Sequence, residues 1–208
     1  LENIYRSVNI GLVNELYNLC SKLDINIYET INAAKSKPFG YHAFYPGPGV
    51  GGHCIPVDPY YLSWIAKKKG INLKFIQLAG NINRKRPTQI SSFIIKQKVK
   101  NILILGLSYK DNSDDLRDAP SIEIFKNLLE KRKNIYVSDP NVDKKIIMNN
   151  FKGAKNITIH SLNKNFLSNI DLVVLLNKHK KINYKSIQLK SKLILDCKNI
   201  YKKKYKNV

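Results

Sequence analysis

The sequence predicts an α/β protein in two parts, a helical first part over residues 1–98 and an open parallel sheet with helices over residues 99–208. Two observations support this prediction. Residues 1–98 contain long stretches in which apolar residues recur three and four positions apart, as in amphipathic helices. From residue 101 onward, short apolar runs rich in β-branched residues alternate with helical stretches, which is typical of parallel β-α-β units.

Two long helices are predicted in the first part. The segment LENIYRSVNIGLVNELYNLCSKL begins the chain inside the helical pattern, with no capping signal before Leu1, so we expect this helix to start upstream. The segment FIQLAGNINRKRPTQISSFIIKQK predicts a helix that connects the two parts, with a kink at Pro87. A second interpretation makes it a surface helix that packs only on its own part.

The second part begins with the strand NILILG at residues 101–106, a helix that starts near Pro120, and a strand that ends in Asp139-Pro140. Gly106 is the only glycine between the first strand and the helix that follows it, and no G-x-G-x-x-G pattern is present there. That pattern is the usual device for holding a dinucleotide pyrophosphate. Its absence predicts a different ligand for this sheet.

The most informative segment is FYPGPGVGGHCIPVDPYYL at residues 44–62. Its glycines permit close approach of a ligand to the backbone, and its prolines stiffen the path. If a helix begins near Cys54, its free N–H groups favour a thiolate or a bound anion, and Asp58 lies on the same face one turn later. A lone cysteine is more often a buried structural residue. The loop composition favours a reactive thiol here.

This segment, together with SYKDNSDDLRDAPS at residues 108–121, resembles the nucleotide-sugar 6-dehydrogenases, which oxidise the primary alcohol of a UDP-sugar to a carboxylate with two NAD+. The amino-acid sequence of the segment at residues 44–62 is most similar to the UDP-N-acetylglucosamine 6-dehydrogenase branch, which supplies surface polysaccharide precursors. The resemblance covers essentially all 208 residues. It implies a helical central domain that mediates dimerisation, followed by a Rossmann-like domain that binds UDP.

The resemblance also implies catalytic residues. Cys54 matches the nucleophile that forms a thiohemiacetal and then a thioester, and Asp58 matches the carboxylate assigned to water activation. Asn3 matches an asparagine that helps to hold the water or the oxyanion. On sequence alone, a plain exposed polar residue in a first helical turn is the better interpretation of Asn3, and only its register with the family favours the catalytic role. The family's catalytic lysine would lie upstream of Leu1.

For ligand binding, the resemblance implies that Lys110 and Lys198 contact the UDP moiety and that Arg117 reaches the cofactor. The substrate-binding loop comprises Tyr45, Pro46, Gly47, Pro48, Gly49, Val50 and Gly51. Lys198 stands where the family usually has an arginine, so the charge is kept but the bidentate fork is lost. In the alternative interpretation, Lys110 is one of many solvated lysines and Arg117 pairs with a neighbouring aspartate.

An N-terminal NAD-binding domain is missing from the pattern, so we expect a fragment, a split subunit or a decayed gene product that by itself does not reduce NAD+. Two alternatives remain open: a non-catalytic dimeric remnant that binds UDP-sugars, and a basic nucleic-acid-binding protein. The sequence does not decide whether the sugar is N-acetylglucosamine, N-acetylmannosamine or glucose.

The formal net charge of +21 would ordinarily indicate nucleic acid as a partner. The lysines are scattered, however, and the densest basic cluster is the tail YKKKYKNV, so we expect a solvated tail and no nucleic-acid partner. Three cysteines without CxxC spacing fit a reducing cytoplasm, and no metal site is indicated. No segment has the apolar length of a membrane span, so we expect a soluble protein.

Overall fold

The computed structural model describes residues 1–131 and 134–202. The helical part contains α1 (Glu2–Lys22), α2 (Ile27–Lys35), α3 (Asp58–Lys68) and α4 (Lys74–Lys96). The sheet part contains β1 (Asn101–Leu105), α5 (Pro120–Glu130), β2 (Asn134–Ser138), α6 (Lys144–Asn150), β3 (Lys155–Asn156), a 3-10 turn (Ile159–Ser161), α7 (Lys164–Ser168), β4 (Leu172–Leu175), α8 (Tyr184–Lys190) and β5 (Ile194–Asp196).

The five strands form one parallel sheet in the order β3-β2-β1-β4-β5, which confirms the predicted α/β class. In the register of the central strand, Leu103 lies between Tyr136 of β2 and Val173 of β4. Successive residues of β1 point to opposite faces, so Leu103 and Ile104 belong to separate hydrophobic cores. Helices therefore cover both faces, as a fully parallel sheet requires.

Helix α1 lies where it was predicted, but its leucine side chains do not form the buried face of the helix. It buries small and polar residues against α4, and a Cβ added at Gly11 would lie 3.1 Å from the carbonyl oxygen of Ala79. Two helices can approach this closely only because Gly11 has no Cβ. The side chains of Leu12, Leu16, Leu19 and Leu23, which we call the leucine face, are exposed.

Helix α3 begins at Asp58 and not near Cys54, which differs from the expectation. Pro56 biases the preceding residue away from helical angles, whereas Pro59 occupies the first turn, where its missing N–H costs no hydrogen bond. The N–H groups of Val57 and Asp58 instead donate to the carbonyl of Cys54, at 3.1 and 2.8 Å. The thiol therefore lies in a turn that leads into the helix.

Helix α4 runs through Pro87 and packs against both α1 and α5, so it contacts both parts of the chain. It ends at Lys96 and β1 starts at Asn101, and the predicted division between residues 98 and 99 falls in this connection. Within residues 1–131 and 134–202, no helix combines the length and the apolar character needed to cross a membrane.

Candidate active site

The loop of residues 45–51 is held in place by a buried polar network of side chains from α1 and α4. The N–H of Gly47 donates to Oδ1 of Asn14 at 3.0 Å, and its carbonyl accepts from Nε of Arg86 at 3.1 Å. Asn14 in turn donates to Asn83 of α4 at 3.1 Å. Arg86 is only 2% exposed, and burial lowers its pKa. The peptide of Gly47 is thus fixed on both sides by helices α1 and α4.

The next part of the loop is attached to the turn after β1. The N–H of Gly52 donates to the carbonyl of Arg117 at 2.8 Å. A Cβ added at Gly51 would lie 2.6 Å from the Cβ of Tyr109 and 2.7 Å from the carbonyl oxygen of Asp118. Only glycine allows this approach, so the contact places Cys54 beside the sheet part of the molecule.

These contacts form a cavity of about 520 Å³, the Cys54 cleft, in which Cys54 is exposed. Nδ2 of Asn3 donates to Oδ2 of Asp58 at 2.6 Å, which joins the start of α1 to the start of α3. The lining residues include Asn3, Arg6, Gly49, Val50, Gly51, His53, Cys54, Tyr109, Lys110 and Arg117. Residues distant in sequence are therefore brought around one exposed thiol.

A second cavity of about 710 Å³, the Lys198 cleft, adjoins the first, since Ile10, Gly49 and Tyr109 line both. Nζ of Lys198 lies 3.4 Å from Oδ1 of Asp111, an ion pair between the ends of β5 and β1. Among the lining residues are Asn32, Tyr45, Pro46, Gly47, Pro48, Gly49, Asp111, Asn177 and Lys198. The two lysines expected to share one ligand thus line adjoining clefts.

Arg117 stands at the rim of the Cys54 cleft with its side chain 64% exposed. It forms an ion pair with Asp115, with Nη2 of Arg117 2.6 Å from Oδ2 of Asp115. Hydrogen bonds from Arg117 hold the pKa of Asp115 below its usual value, and the same contact raises the pKa of Arg117. This is one of the aspartate pairings that the sequence left open.

Cys20, Cys54 and Cys197 are all free. Cys20 is half-buried and packs against the helical core. Cys197 is buried, and this burial raises its pKa to about 12. Within the described ranges, no cluster of histidine, cysteine and acidic side chains is arranged to hold a metal ion. The basic tail predicted to be solvated lies, from residue 203 onward, outside the described residues.

The turn after β1 leaves no room for a side chain at Gly106. Gly106 has a φ of 82°, and a Cβ at this position would lie 2.7 Å from the carbonyl oxygen of Asn177. The backbone after β4 therefore fills the space above this glycine. The two clefts lie beside this end of the sheet, since Tyr109 lines both of them and Asn177 lines the Lys198 cleft.

Sequence reasoning missed the bracing residues Asn14, Asn83 and Arg86, as well as Asp111 and Tyr109. Asp111 and Tyr109 flank Lys110 in the quoted segment and could have been found there. Arg86 is one of 36 lysines and arginines, and only its burial distinguishes it from the others.

Two family descriptions match the chain. The central domain of the UDP-glucose/GDP-mannose dehydrogenase family matches residues 1–85, and the UDP binding domain of the same family matches residues 103–203. The two matches together cover most of the chain and correspond to its helical part and its sheet part.

Similar proteins agree with these matches. A UDP-N-acetyl-D-mannosamine dehydrogenase of Methanococcus vannielii is 34% identical over 96% of this chain and 46% of the relative, and one of Campylobacter jejuni is 37% identical over 86% and 44%. The structure of UDP-N-acetyl-mannosamine dehydrogenase from Staphylococcus aureus has a TM-score of 0.72 and 31% identity, over 100% of this chain and 47% of that protein. The chain spans about half the length of the curated relatives it matches.

Proposed function

Because this chain belongs to the UDP-glucose/GDP-mannose dehydrogenase family, we propose that it forms the central and UDP-binding portions of a UDP-N-acetylhexosamine 6-dehydrogenase. The observation that carries the proposal is the Cys54 cleft, in which an exposed thiol lies close to a hydrogen-bonded Asn3–Asp58 pair. This cleft continues into a second cleft whose walls contain a cation and a rigid glycine-proline loop. A nucleotide sugar that extends through both would bring its C6 group to the thiol.

In the proposed chemistry, the Cys54 thiolate adds to the C6 aldehyde, and the covalent adduct cannot escape before the second oxidation. Asp58 then accepts a proton from the water that hydrolyses the resulting thioester. Asn3 donates to Asp58 at 2.6 Å and so fixes the carboxylate in place. Two roles are thereby separated: Cys54 holds the carbon, and the Asn3–Asp58 pair handles the water.

We assign the UDP moiety to the Lys198 cleft, between residues 45–49 and Lys198. The diphosphate would displace Asp111 from Lys198, since both anions compete for the same ammonium group. Lys110, Val50 and Gly51 line the Cys54 cleft and are assigned to the sugar end, so Lys110 contacts the sugar or its proximal phosphate.

NAD+ is the proposed cofactor, and it would accept the hydrides removed from C6. Among the described residues, the group that we assign to the cofactor is the exposed guanidinium of Arg117 at the rim of the Cys54 cleft. Most of the cofactor's binding surface is therefore assigned to another domain. The names of the relatives favour UDP-N-acetylmannosamine as the substrate, whereas the sequence of residues 44–62 indicated UDP-N-acetylglucosamine. Binding of both nucleotide sugars should therefore be tested.

The proposed partner is a second copy of the chain. The leucine face has the four-three-four spacing of a helix-pairing seam, and each of its four side chains is at least 39% exposed. The resemblance assigned dimerisation to the helical central domain, and within that domain we propose that α1 contributes the leucine face. The proposed compartment is the cytoplasm.

Calorimetry of the purified 208-residue chain tests the binding assignment with UDP-N-acetylmannosamine, UDP-N-acetylglucosamine and UDP-glucose. We expect one UDP-N-acetylhexosamine to bind, with affinity that falls as salt rises. Lys198→Ala should weaken binding about tenfold or more, because a charge-assisted contact is lost. Lys192→Ala removes an equally charged side chain that pairs with Asp171 outside both clefts, and should leave affinity unchanged.

A second measurement separates the enzyme portion from a non-catalytic remnant. The chain alone should produce no NADH from NAD+ and any UDP-sugar, because the main cofactor surface is assigned elsewhere. Combination with an NAD-binding domain of the same family should restore turnover. Binding without any restored turnover would favour the remnant, and tight RNA binding without UDP-sugar binding would favour the basic nucleic-acid-binding alternative.

A further inference from the structure

A buried carboxylate and imidazole lie at the sheet end beside both clefts and have no role in the chemistry above. Asp139 follows β2 and His179 follows β4, and both side chains are fully buried. Nε2 of His179 lies 3.2 Å from Oδ2 of Asp139. A histidine buried in this way needs defined partners on both ring nitrogens.

The partners of the other ring nitrogen determine where the proton is. The backbone N–H of Asn112 donates to Nδ1 of His179 at 3.2 Å, and Nδ2 of Asn141 lies 3.0 Å from the same atom. A backbone N–H can only donate, so Nδ1 must be the acceptor and carries no proton. The proton of the neutral ring is therefore on Nε2, directed at Asp139.

Both members of the pair hold the same loop, residues 106–112, which we call the Lys110 loop. Oδ2 of Asp139 accepts from the N–H groups of Leu107 and Ser108, at 2.7 and 3.2 Å, near the start of the loop. His179 holds its last residue, Asn112. Lys110 and Asp111, which line the two clefts, lie between these fixed points.

The segment that carries His179 adds further contacts to the same loop. The N–H of Lys178 donates to Oδ1 of Asp111 at 3.1 Å, and the N–H of Lys180 donates to Oδ1 of Asn112 at 2.8 Å. The N–H of His179 itself donates to the hydroxyl of Tyr184 at 2.8 Å, which fixes the segment to α8. The loop is thus attached at its end to a rigid element of the sheet domain.

We propose that His179 is a positioning residue that, in its neutral Nε2-protonated form, fixes Asn112 through Nδ1 and so holds Lys110 and Asp111 at the two clefts. The proposal rests on the proposed function, in which these clefts bind a UDP-N-acetylhexosamine. Nδ1 is the atom that matters for the ligand, and the Nε2 side of the ring lies against the carboxylate of Asp139 at 3.2 Å.

Two substitutions distinguish the roles of the two ring nitrogens of His179. His179→Asn retains an acceptor near the position of Nδ1, whereas His179→Gln retains a donor near Nε2 but no acceptor for Asn112. Asparagine also leaves more empty volume than glutamine. A packing role alone therefore predicts that the Asn variant is the poorer one in every measurement.

The positioning role predicts opposite orders in two measurements. By calorimetry, His179→Asn should bind the UDP-N-acetylhexosamine within about threefold of the wild type, and His179→Gln should bind about tenfold more weakly. By thermal unfolding, the Asn variant should be no more stable than the Gln variant. If the Gln variant binds as well as or better than the Asn variant, the proposal is wrong.

Nitrogen NMR gives a readout that needs no ligand. In the wild-type chain, Nδ1 of His179 should be unprotonated and Nε2 protonated, and the amide of Asn112 should be protected from hydrogen exchange. That protection should persist in the Asn variant and be lost in the Gln variant. A protonated Nδ1 or an unprotected Asn112 amide would overturn the proposal. If no UDP-sugar binds while these signals hold, the proposed function fails and the positioning of the loop stands.

Discussion

Cys54 differs from the other two cysteines in its surroundings. Its side chain is exposed in a cleft, whereas Cys197 is buried and has a pKa raised to about 12 by that burial. A thiol with such a pKa stays protonated at neutral pH, so Cys197 cannot act as a nucleophile there. The Asn3–Asp58 pair lies at the start of the two helices that flank Cys54, which supports the separate roles proposed for thiol and carboxylate.

In an enzyme in which this segment is joined to an NAD-binding domain, Cys54→Ala should abolish acid production because no covalent intermediate forms. Asp58→Asn should slow turnover by about 10²- to 10⁴-fold, because the water lacks its base, and an acyl group should accumulate on the thiol. Mass spectrometry of the Cys54 peptide checks this difference. Normal acid production by Cys54→Ala would return this cysteine to a structural role.

A pH-dependent contribution to stability is expected from Asp139. Burial alone raises the pKa of this carboxyl, but hydrogen bonds from His179 and from backbone N–H groups outweigh it, and the net pKa is lowered. Its stabilising effect is therefore present above the unfolded value near pH 4 and is lost as the pH falls through the folded value.

Urea unfolding between about pH 5 and pH 3 measures this contribution. The free energy of unfolding should fall less steeply with decreasing pH in Asp139→Asn than in the wild type. Asp114→Asn removes an exposed carboxylate of the same region and should keep the wild-type slope. Equal slopes in all three proteins would show that Asp139 is not responsible.

Among the connections between secondary-structure elements, the turn after β1 is tightly packed against the backbone that follows β4. Gly106 combines a φ of 82° with a backbone neighbour 2.7 Å from the position of a Cβ. Ser108 and Asn177 join the two strand ends above it, since Nδ2 of Asn177 donates to the carbonyl of Ser108. The end of β4 is thereby joined to the loop that leads from β1 to the two clefts.

Gly106→Ala should therefore destabilise the chain by about 2–4 kcal/mol, from the left-handed backbone and the overlap with Asn177 together. Gly70→Ala provides the matched control, because Gly70 has a φ of 76° with no heavy atom within 4 Å of its Cβ position. It should cost only about 1 kcal/mol. Chemical denaturation of both variants measures the difference, and equal losses would refute the overlap.

For the whole molecule, charge and apolar surface act in opposite directions on self-association. A formal charge of +21 makes two copies repel, so a dimer depends on apolar contacts such as the leucine face. Salt screens this repulsion. The same screening weakens the binding of an anionic nucleotide sugar, so the two equilibria should respond oppositely to ionic strength.

Light scattering after size-exclusion chromatography tests the dimer. The wild-type chain should be dimeric, more completely at higher salt, and Leu16→Glu should give a monomer because a charge enters the apolar contact. Leu189→Glu changes a leucine that is 76% exposed on α8, outside the leucine face, and should remain dimeric. A dimeric Leu16→Glu would place the interface elsewhere.

The sequence alone determined the fold class and indicated the family, because both depend on local patterns. Apolar periodicity predicted α1, α4 and β1, and the glycine-proline loop identified Cys54 as the candidate nucleophile. The single glycine in the turn after β1 predicted that this sheet does not hold a dinucleotide pyrophosphate in the usual way, and this stays a prediction. Each inference concerned residues that are neighbours in the chain.

The tertiary structure decided which distant residues meet. A hydrogen bond joins Asn3 to Asp58, which lie 55 positions apart in the sequence. Another joins Arg86 to Gly47, which lie 39 positions apart. No local sequence pattern specifies such pairs. It also decided which face of α1 is buried, since the close approach to α4 requires small side chains there and leaves the leucines outside. The tautomer of His179 likewise follows from contacts with two other loops, because the protonation of a buried ring is set by its neighbours in space.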